Sequence, residues 1–176
     1  EEAGDKFLVG YGFSLYTQIH FVRGLENTWM DIYEHRSELE RFIDVMESLR
    51  IANDMVPVIV EGRSDEYSLR ELGLKGDIIP INTGRSLVAM VDSLVREGVK
   101  RVIILTDWDH KGRELSMKVG RLFRANGIQI DDRFRSEIFA LVKQETLYVE
   151  GLSGWLESAR GKVNGERRGS IGDSDQ

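Results

Sequence analysis

The sequence predicts an α/β fold in which a roughly four-stranded parallel sheet is flanked by helices. Two short β-branched runs, residues 56–60 and 102–105, are each followed within two residues by an acidic residue, then by a glycine and a helical pattern. Segments with helical periodicity separate these runs from one another and from two weaker strand patterns. Strands that alternate with helices in this way are typical of a parallel sheet with right-handed crossovers.

The first predicted element is an amphipathic helix within residues 30–55. Its apolar side chains recur at helical spacing, and they are Leu39, Phe42, Ile43, Met46 and Leu49. We expect this helix to pack on the sheet, although a dimer or partner helix is an alternative. Residues 1–29 are aromatic and glycine-rich without a helical period, and we treat them as an N-terminal extension of uncertain structure.

The remaining elements form one domain over residues 56–152. In chain order, the predicted strands are 56–60, 77–81, 102–105 and 128–130, and the predicted helices are 64–72, 86–97, 111–126 and 134–142. Ser64 is a candidate N-cap for the helix that it begins. Residues 160–176 are rich in glycine, arginine, serine and aspartate with little apolar content, which predicts a disordered tail.

Composition narrows the function classes. The chain contains no cysteine, so it cannot form disulfides or thiolate zinc sites, and a cytoplasmic location is expected. It contains no apolar run of the ~20 residues that a membrane span requires. The formal net charge of −6 argues against strong non-specific binding to duplex nucleic acid, although a local basic patch or a bound metal can reverse the charge near a site.

The most informative residues are the acids that follow the two apolar runs. Glu61 follows the first run, and Asp107 and Asp109 follow the second. Because the carboxyl ends of parallel strands share one edge of a sheet, we expect the three side chains to converge there. If strand geometry persists through Asp107 and Asp109, their carboxylates point to the same side and can hold a hard divalent cation such as Mg²⁺.

Residues 58–65 (VIVEGRSD) and 104–112 (ILTDWDHKG) together resemble the Toprim domain, a Rossmann-like fold found in topoisomerases, primases, recombination-repair proteins and some nucleases. The resemblance extends over about residues 56–152 and is greatest to the small standalone Toprim proteins of archaea. Asp65 also matches an acidic position of the first motif, although a carboxylate there can simply stabilise a helix N-terminus.

The resemblance implies a set of functional residues. Glu61 would be the general acid or base, and Glu61, Asp107 and Asp109 would hold one or two Mg²⁺ ions, with Mn²⁺ as a substitute. Residues beside this acidic edge would contact the substrate, and they are Gly62, Arg63, Gly84, Lys111 and Arg113. The alternative for the two basic residues after Asp109 is a solvated helix start. Trp108 could stack on a base or pack against a neighbouring loop, and Gly112 would allow a tight turn into the next helix.

We expect a Mg²⁺-dependent protein that acts on nucleic-acid phosphodiesters, most simply a small nuclease-like enzyme with DNA or RNA as its partner. The alternative is a non-catalytic module that binds metal and nucleic acid within a larger complex, with protein partners or a homodimer left open. A haloacid-dehalogenase-type phosphatase is disfavoured, because that class carries its Asp-x-Asp pair on the first strand. A complete topoisomerase is also disfavoured, because no tyrosine lies in a recognisable nucleophile context.

Overall fold

The computed structural model describes residues 36–169, and it describes their side chains as far as residue 163. Four strands form one parallel sheet in the order β2-β1-β3-β4. They are β1 (Val58–Val60), β2 (Ile78–Pro80), β3 (Arg101–Ile104) and β4 (Gln129–Asp131). The predicted α/β class and the four-stranded parallel sheet are therefore confirmed.

Helices cover both faces of the sheet. They are α1 (residues 36–53), α2 (Arg63–Glu71), α3 (Leu87–Arg96), α4 (His110–Ala125), α5 (Arg133–Val142) and α6 (Leu152–Gly169), with one 3-10 turn (Val149–Gly151) before α6. The core has two parts. On one face, Val58, Val60 and Ile103 pack with α1, α2, α5 and α6, and on the other, Ile59 and Ile104 pack with α3 and α4. Because successive strand residues point to opposite faces, a sheet covered on both sides needs the continuous apolar runs seen in the sequence.

The predicted amphipathic helix is present in the described chain as α1. Its apolar positions are buried against the sheet face except for Ile43, which is 41% exposed, and Phe42 packs against Trp155 of α6 with ring centroids 4.6 Å apart. This contact supports packing within the domain as the role of α1. The predicted helix residues before 36 and the extension over residues 1–29 lie outside the described residues.

The C-terminal segment differs from the expectation. Helix α6 continues to Gly169, so residues 160–169 are helical where we expected a disordered tail, and residues 170–176 lie outside the described residues. Trp155, Ala159 and Val163 lie four residues apart and pack against the core, and Lys162 forms an ion pair with Glu145 at 3.0 Å. A sparse apolar stripe of this kind can hold a helix that overall composition predicts as disordered.

The position of β1 relative to its neighbours determines where the acids lie. Val58 and Ile59 of β1 pair with Ile103 and Ile104 of β3 in parallel register, so both strands end at the same edge of the sheet.

Among residues 36–169, no helix combines the length and the apolar content that crossing a bilayer would require.

Candidate functional site

Four carboxylates lie near one another at the C-terminal edge of the sheet, and we call this group the acidic edge. Glu61 follows β1, Asp65 lies in the first turn of α2, and Asp107 and Asp109 lie between β3 and α4. Burial raises the pKa of Glu61, and the charges of Asp65 and Asp109 raise it further, whereas Lys111 lowers it. The strand-end acids therefore lie at one edge of the sheet, where their negative charges raise the pKa of Glu61 and of Asp107.

Asp107 has the most perturbed carboxyl group of the four. Its pKa is raised to about 6, first by burial and then by the charges of Asp65, Glu61 and Asp109, although a hydrogen bond from Val149 opposes the shift. In that bond the backbone N–H of Val149 donates to Oδ1 of Asp107 at 2.8 Å. The turn that precedes α6 thus fixes the orientation of a carboxylate 42 residues earlier in the chain.

Asp109 and Asp65 are each held by a helix start. Asp109 is the N-cap of α4, and its Oδ1 accepts the N–H of Gly112 at 2.6 Å. Asp65 is buried and accepts the N–H of Gly62 at 2.9 Å through Oδ2. Gly62 is therefore the N-cap of α2, and the expectation that Ser64 caps this helix is wrong. The orientation of Asp109 also follows from its cap geometry, since β3 ends at Ile104 and does not continue through the acids.

Gly112 has a different role from the predicted turn. It lies inside α4 and is buried, and a Cβ atom added to it would overlap the carbonyl oxygen of Asp107 and lie 2.7 Å from the carbonyl carbon. Thr106 donates its hydroxyl to the carbonyl of Gly112 at 3.0 Å. Glycine is needed here because the helix packs directly on the backbone that carries Asp107.

Arg135 was not identified from the sequence, yet it holds the same backbone from α5. Its Nε donates to the carbonyl of Thr106 at 2.9 Å, and its Nη2 donates to the carbonyl of Asp107 at 2.6 Å. A charged donor that satisfies two partly buried carbonyls fixes the strand end strongly. No local pattern around Arg135 could have indicated this role, because its partners lie 28 and 29 residues away.

Replacing Arg135 with lysine should destabilise the fold, because it loosens the backbone that carries Asp107. An ammonium lacks the planar fork that reaches both carbonyls, so we expect a loss of stability of about 1–3 kcal/mol, measured by urea unfolding. Arg133→Lys is the matched control, since Arg133 lies on the same helix with an exposed side chain. Equal stability of the two variants would show that Arg135 does not support the strand end.

Trp108 packs inward. Its ring stacks on Phe139 with centroids 5.9 Å apart, and its Nε1 donates to the carbonyl of Arg135 at 2.8 Å. Only 3% of the residue is exposed. Of the two alternatives for Trp108, the structure favours packing against a neighbouring segment, and the ring does not offer a face to a base.

The predicted substrate-contacting residues surround the acidic edge. Arg63, Lys111 and Arg113 are exposed at the starts of α2 and α4. Gly84 lies in the loop after β2. This loop is held beside the acidic edge by a hydrogen bond in which the N–H of Asn82 donates to the carbonyl of Glu61 at 2.9 Å. Gly84 has a φ of +82°, so the turn itself requires glycine. A Cβ added to Gly62 would meet no protein atom within 4 Å, so the backbone there is open to a ligand.

The acidic edge fits a hard divalent cation by its chemistry. All four donors are carboxylates, and oxygen ligands are those that Mg²⁺ and Mn²⁺ prefer. The hydrogen bonds described for Asp107 and Asp109 use Oδ1 only, which leaves Oδ2 of each for a metal. Within residues 36–163, no three acidic or histidine side chains are placed closely enough to hold one ion together, so such binding requires the side chains to rotate.

Comparisons with known proteins agree with the fold and the motif. The Toprim domain family model matches residues 56–141. A UPF0292 protein of Methanocaldococcus jannaschii is 37% identical over 117 residues, which are 66% of this chain and 91% of the relative. A UPF0292 protein of Methanosarcina barkeri is 30% identical over 76% of this chain and 92% of its own length. A solved structure of an Aquifex aeolicus protein aligns with a TM-score of 0.53 and 25% identity, over 61% of this chain and 94% of that one.

The match to the Toprim model covers the three strand-end acids, and the archaeal relatives are matched over nearly their whole length. The chain therefore belongs to the Toprim domain family, in the group of small archaeal UPF0292 proteins.

Proposed function

We propose that this protein is a Mg²⁺-dependent, nuclease-like enzyme that acts on nucleic-acid phosphodiesters. Toprim domains generally bind Mg²⁺ through acidic residues and act on nucleic acid, which supports a metal-binding, nucleic-acid-related role. The observation that carries the finer proposal is the acidic edge, where burial and the negative charges of neighbouring carboxylates raise the pKa of Glu61 and of Asp107. Negative charges held together at such an edge oppose one another unless a cation or protons neutralise them.

In this proposal Asp107, Asp109 and Glu61 hold the metal. Bound Mg²⁺ would supply positive charge to the phosphate oxygens as the transition state forms. Arg63, Lys111 and Arg113 contact the flanking phosphates from the exposed helix starts. Without a cation the acidic edge repels a polyanion, so productive binding of the scissile phosphate depends on metal.

Glu61 serves as the proton-transfer group. In hydrolysis, the oxygen of water bonds to phosphorus while the bond to the leaving sugar oxygen breaks, and Glu61 accepts the proton that the water loses while the leaving oxygen takes up a proton from solvent. Burial is the largest cause of the raised pKa of Glu61 in the metal-free protein, and a carboxylate with a raised pKa is a stronger proton acceptor. The positive charge of Lys111 lowers the pKa of Glu61 and so offsets part of this increase.

A non-catalytic metal- and nucleic-acid-binding module is the second candidate. One observation favours it: within the described residues the carboxylates are not preorganised as a three-ligand group. Calorimetric titration with Mg²⁺ and Mn²⁺, followed by incubation with labelled single-stranded and structured DNA and RNA, separates the two. Metal-dependent cleavage that Glu61→Gln abolishes supports the enzyme, whereas metal binding without cleavage of any substrate supports the module.

The affinity for Mn²⁺ should depend on pH through Asp107. Because a metal binds the ionised carboxylate, protons compete with it below the pKa of about 6. As the pH increases towards 6, we expect the affinity to rise about tenfold per pH unit, and above about pH 7 we expect it to level off. Calorimetry in two buffers of different ionisation enthalpy measures both the affinity and the proton released. An affinity that is constant between about pH 5 and 7 would contradict a role for Asp107 as a ligand.

A further inference from the structure

Beside the acidic edge lies an open cavity of about 740 Å³ between α2 and the turn before α6. This size is typical of ligand sites. Its wall on α2 includes Arg63, Tyr67 and Glu71, which share one helix face because they are four residues apart. Its opposite wall includes Tyr148 and Glu150, on either side of the Val149 whose N–H binds Asp107. Both walls of the cavity are therefore connected to the proposed catalytic site, one through the chain from Glu61 to Arg63 and the other through the hydrogen bond of Val149 to Asp107.

The two tyrosines are the most unusual feature of this cavity. Tyr67 is 67% exposed and Tyr148 is 46% exposed, so each ring offers a large aromatic surface to solvent. Their backbones are nevertheless well held. Tyr67 lies within α2, and the N–H of Tyr148 donates to Thr146 Oγ1 at 3.1 Å while its carbonyl accepts the N–H of Gly151 at 3.2 Å. Exposed tyrosine rings on a well-held backbone can stack on a partner at little cost in conformational entropy.

The charges of the cavity indicate what kind of partner fits. Arg63 is its one cationic lining residue, and it has no ion-pair partner among the residues that the structure describes. Glu71 and Glu150 also line the cavity, so the interior does not suit a cluster of phosphates. A flat, uncharged group on the tyrosines, with a single phosphate next to Arg63, satisfies these charges best.

We propose that this cavity binds a base of single-stranded nucleic acid, which stacks on Tyr67 and Tyr148 while Arg63 contacts an adjacent phosphate. This inference deepens the proposed function, since it identifies a single strand as the form of substrate that leads into the acidic edge. Stacking also explains how a chain with a formal net charge of −6 can bind a polyanion, because stacking does not depend on long-range attraction.

The test uses the full chain and fluorescein-labelled oligothymidylate and oligouridylate of about 12 nucleotides, with binding followed by fluorescence anisotropy. Measurements in EDTA and in Mg²⁺ separate stacking from metal-dependent binding. Tyr67→Ala and Tyr148→Ala are each expected to weaken binding about 5- to 150-fold, whereas the Tyr→Phe variants keep it within about twofold. Arg63→Gln should reduce the slope of log affinity against log salt by about 0.7.

Val88→Ala is the matched control, because Val88 is exposed on α3 and lines a different groove. Unchanged thermal midpoints of the variants exclude loss of fold as the cause. Unchanged affinity in the Tyr67→Ala/Tyr148→Ala double variant, or no binding of either oligonucleotide by the wild type in any condition, would overturn the inference. Oligonucleotide binding in EDTA by a protein without measurable Mg²⁺ affinity would refute the proposed enzyme and leave the stacking site intact.

Discussion

Asp107→Asn is expected to lower the affinity for Mg²⁺ and Mn²⁺ by about 10- to 100-fold or more. Mutation of residues that only hydrogen-bond to metal ligands already causes a loss of this size, and Asp107 is itself a proposed ligand. The fold should remain, because Oδ1 of asparagine can still accept the N–H of Val149 that Asp107 accepts at 2.8 Å. Calorimetry measures the affinity, and metal-dependent cleavage should fall with it. Asp77→Asn is the matched control, since Asp77 is exposed at the opposite end of the strands, just before β2.

The stability of the metal-free protein provides a second readout of this variant. A carboxyl group whose folded-state pKa is raised destabilises the fold as it ionises, so the wild type should lose stability as the pH rises from about 4 through about 6. Asp107→Asn should abolish this contribution and be at least as stable as the wild type at pH 8. Asp107→Ala, which also removes the acceptor for Val149, should be less stable than Asp107→Asn. A destabilised Asp107→Asn with normal metal affinity would show that the carboxylate is structural.

Gly112→Ala is expected to destabilise the protein by about 1–3 kcal/mol or more and to weaken metal binding in the same variant. The added methyl group would overlap the carbonyl oxygen of Asp107, and it would lie 2.8 Å from the Cβ atom of Asp107. Because these atoms belong to the backbone and the stem of the proposed ligand, relief of the overlap must move Asp107. Urea unfolding and metal calorimetry measure the two effects.

Gly154→Ala is the matched control for this substitution. Gly154 is the third residue of α6, as Gly112 is the third residue of α4, and a Cβ atom added to it would meet nothing within 4 Å. Replacement of an exposed helical glycine with alanine should stabilise the fold by about 0.5–1 kcal/mol. If both variants changed stability by the same amount, the close packing of α4 on Asp107 would have no energetic consequence.

The part of this fold that was predictable from the sequence depends on local patterns. The apolar runs 56–60 and 102–105 predicted two buried parallel strands, and the acids after them predicted a shared edge. The apolar stripe from Leu39 to Leu49 likewise predicted that α1 packs on the sheet. Periodicity reports which side chains an element must bury, so it predicts elements and edges without knowledge of their partners.

The supports of the site were not predictable, because they join distant parts of the chain. Val149 reaches Asp107 across 42 residues, and Arg135 reaches the same strand end from α5. The requirement for Gly112 comes from the packing of α4 on backbone, whereas the sequence alone suggested a turn. Composition likewise predicted disorder after Ala159, where the contacts of α6 with the core extend the helix. Each of these features depends on tertiary neighbours that a local pattern does not contain.

The most direct test of the central proposal is an anomalous difference map from crystals of this protein soaked in Mn²⁺. We expect a peak at the C-terminal edge of the sheet, within coordination distance of Asp107, Asp109 and Glu61, and its loss in Asp107→Asn crystals. A map with no peak at this edge, at a metal concentration that saturates binding in solution, would contradict the proposal that these carboxylates form a metal site.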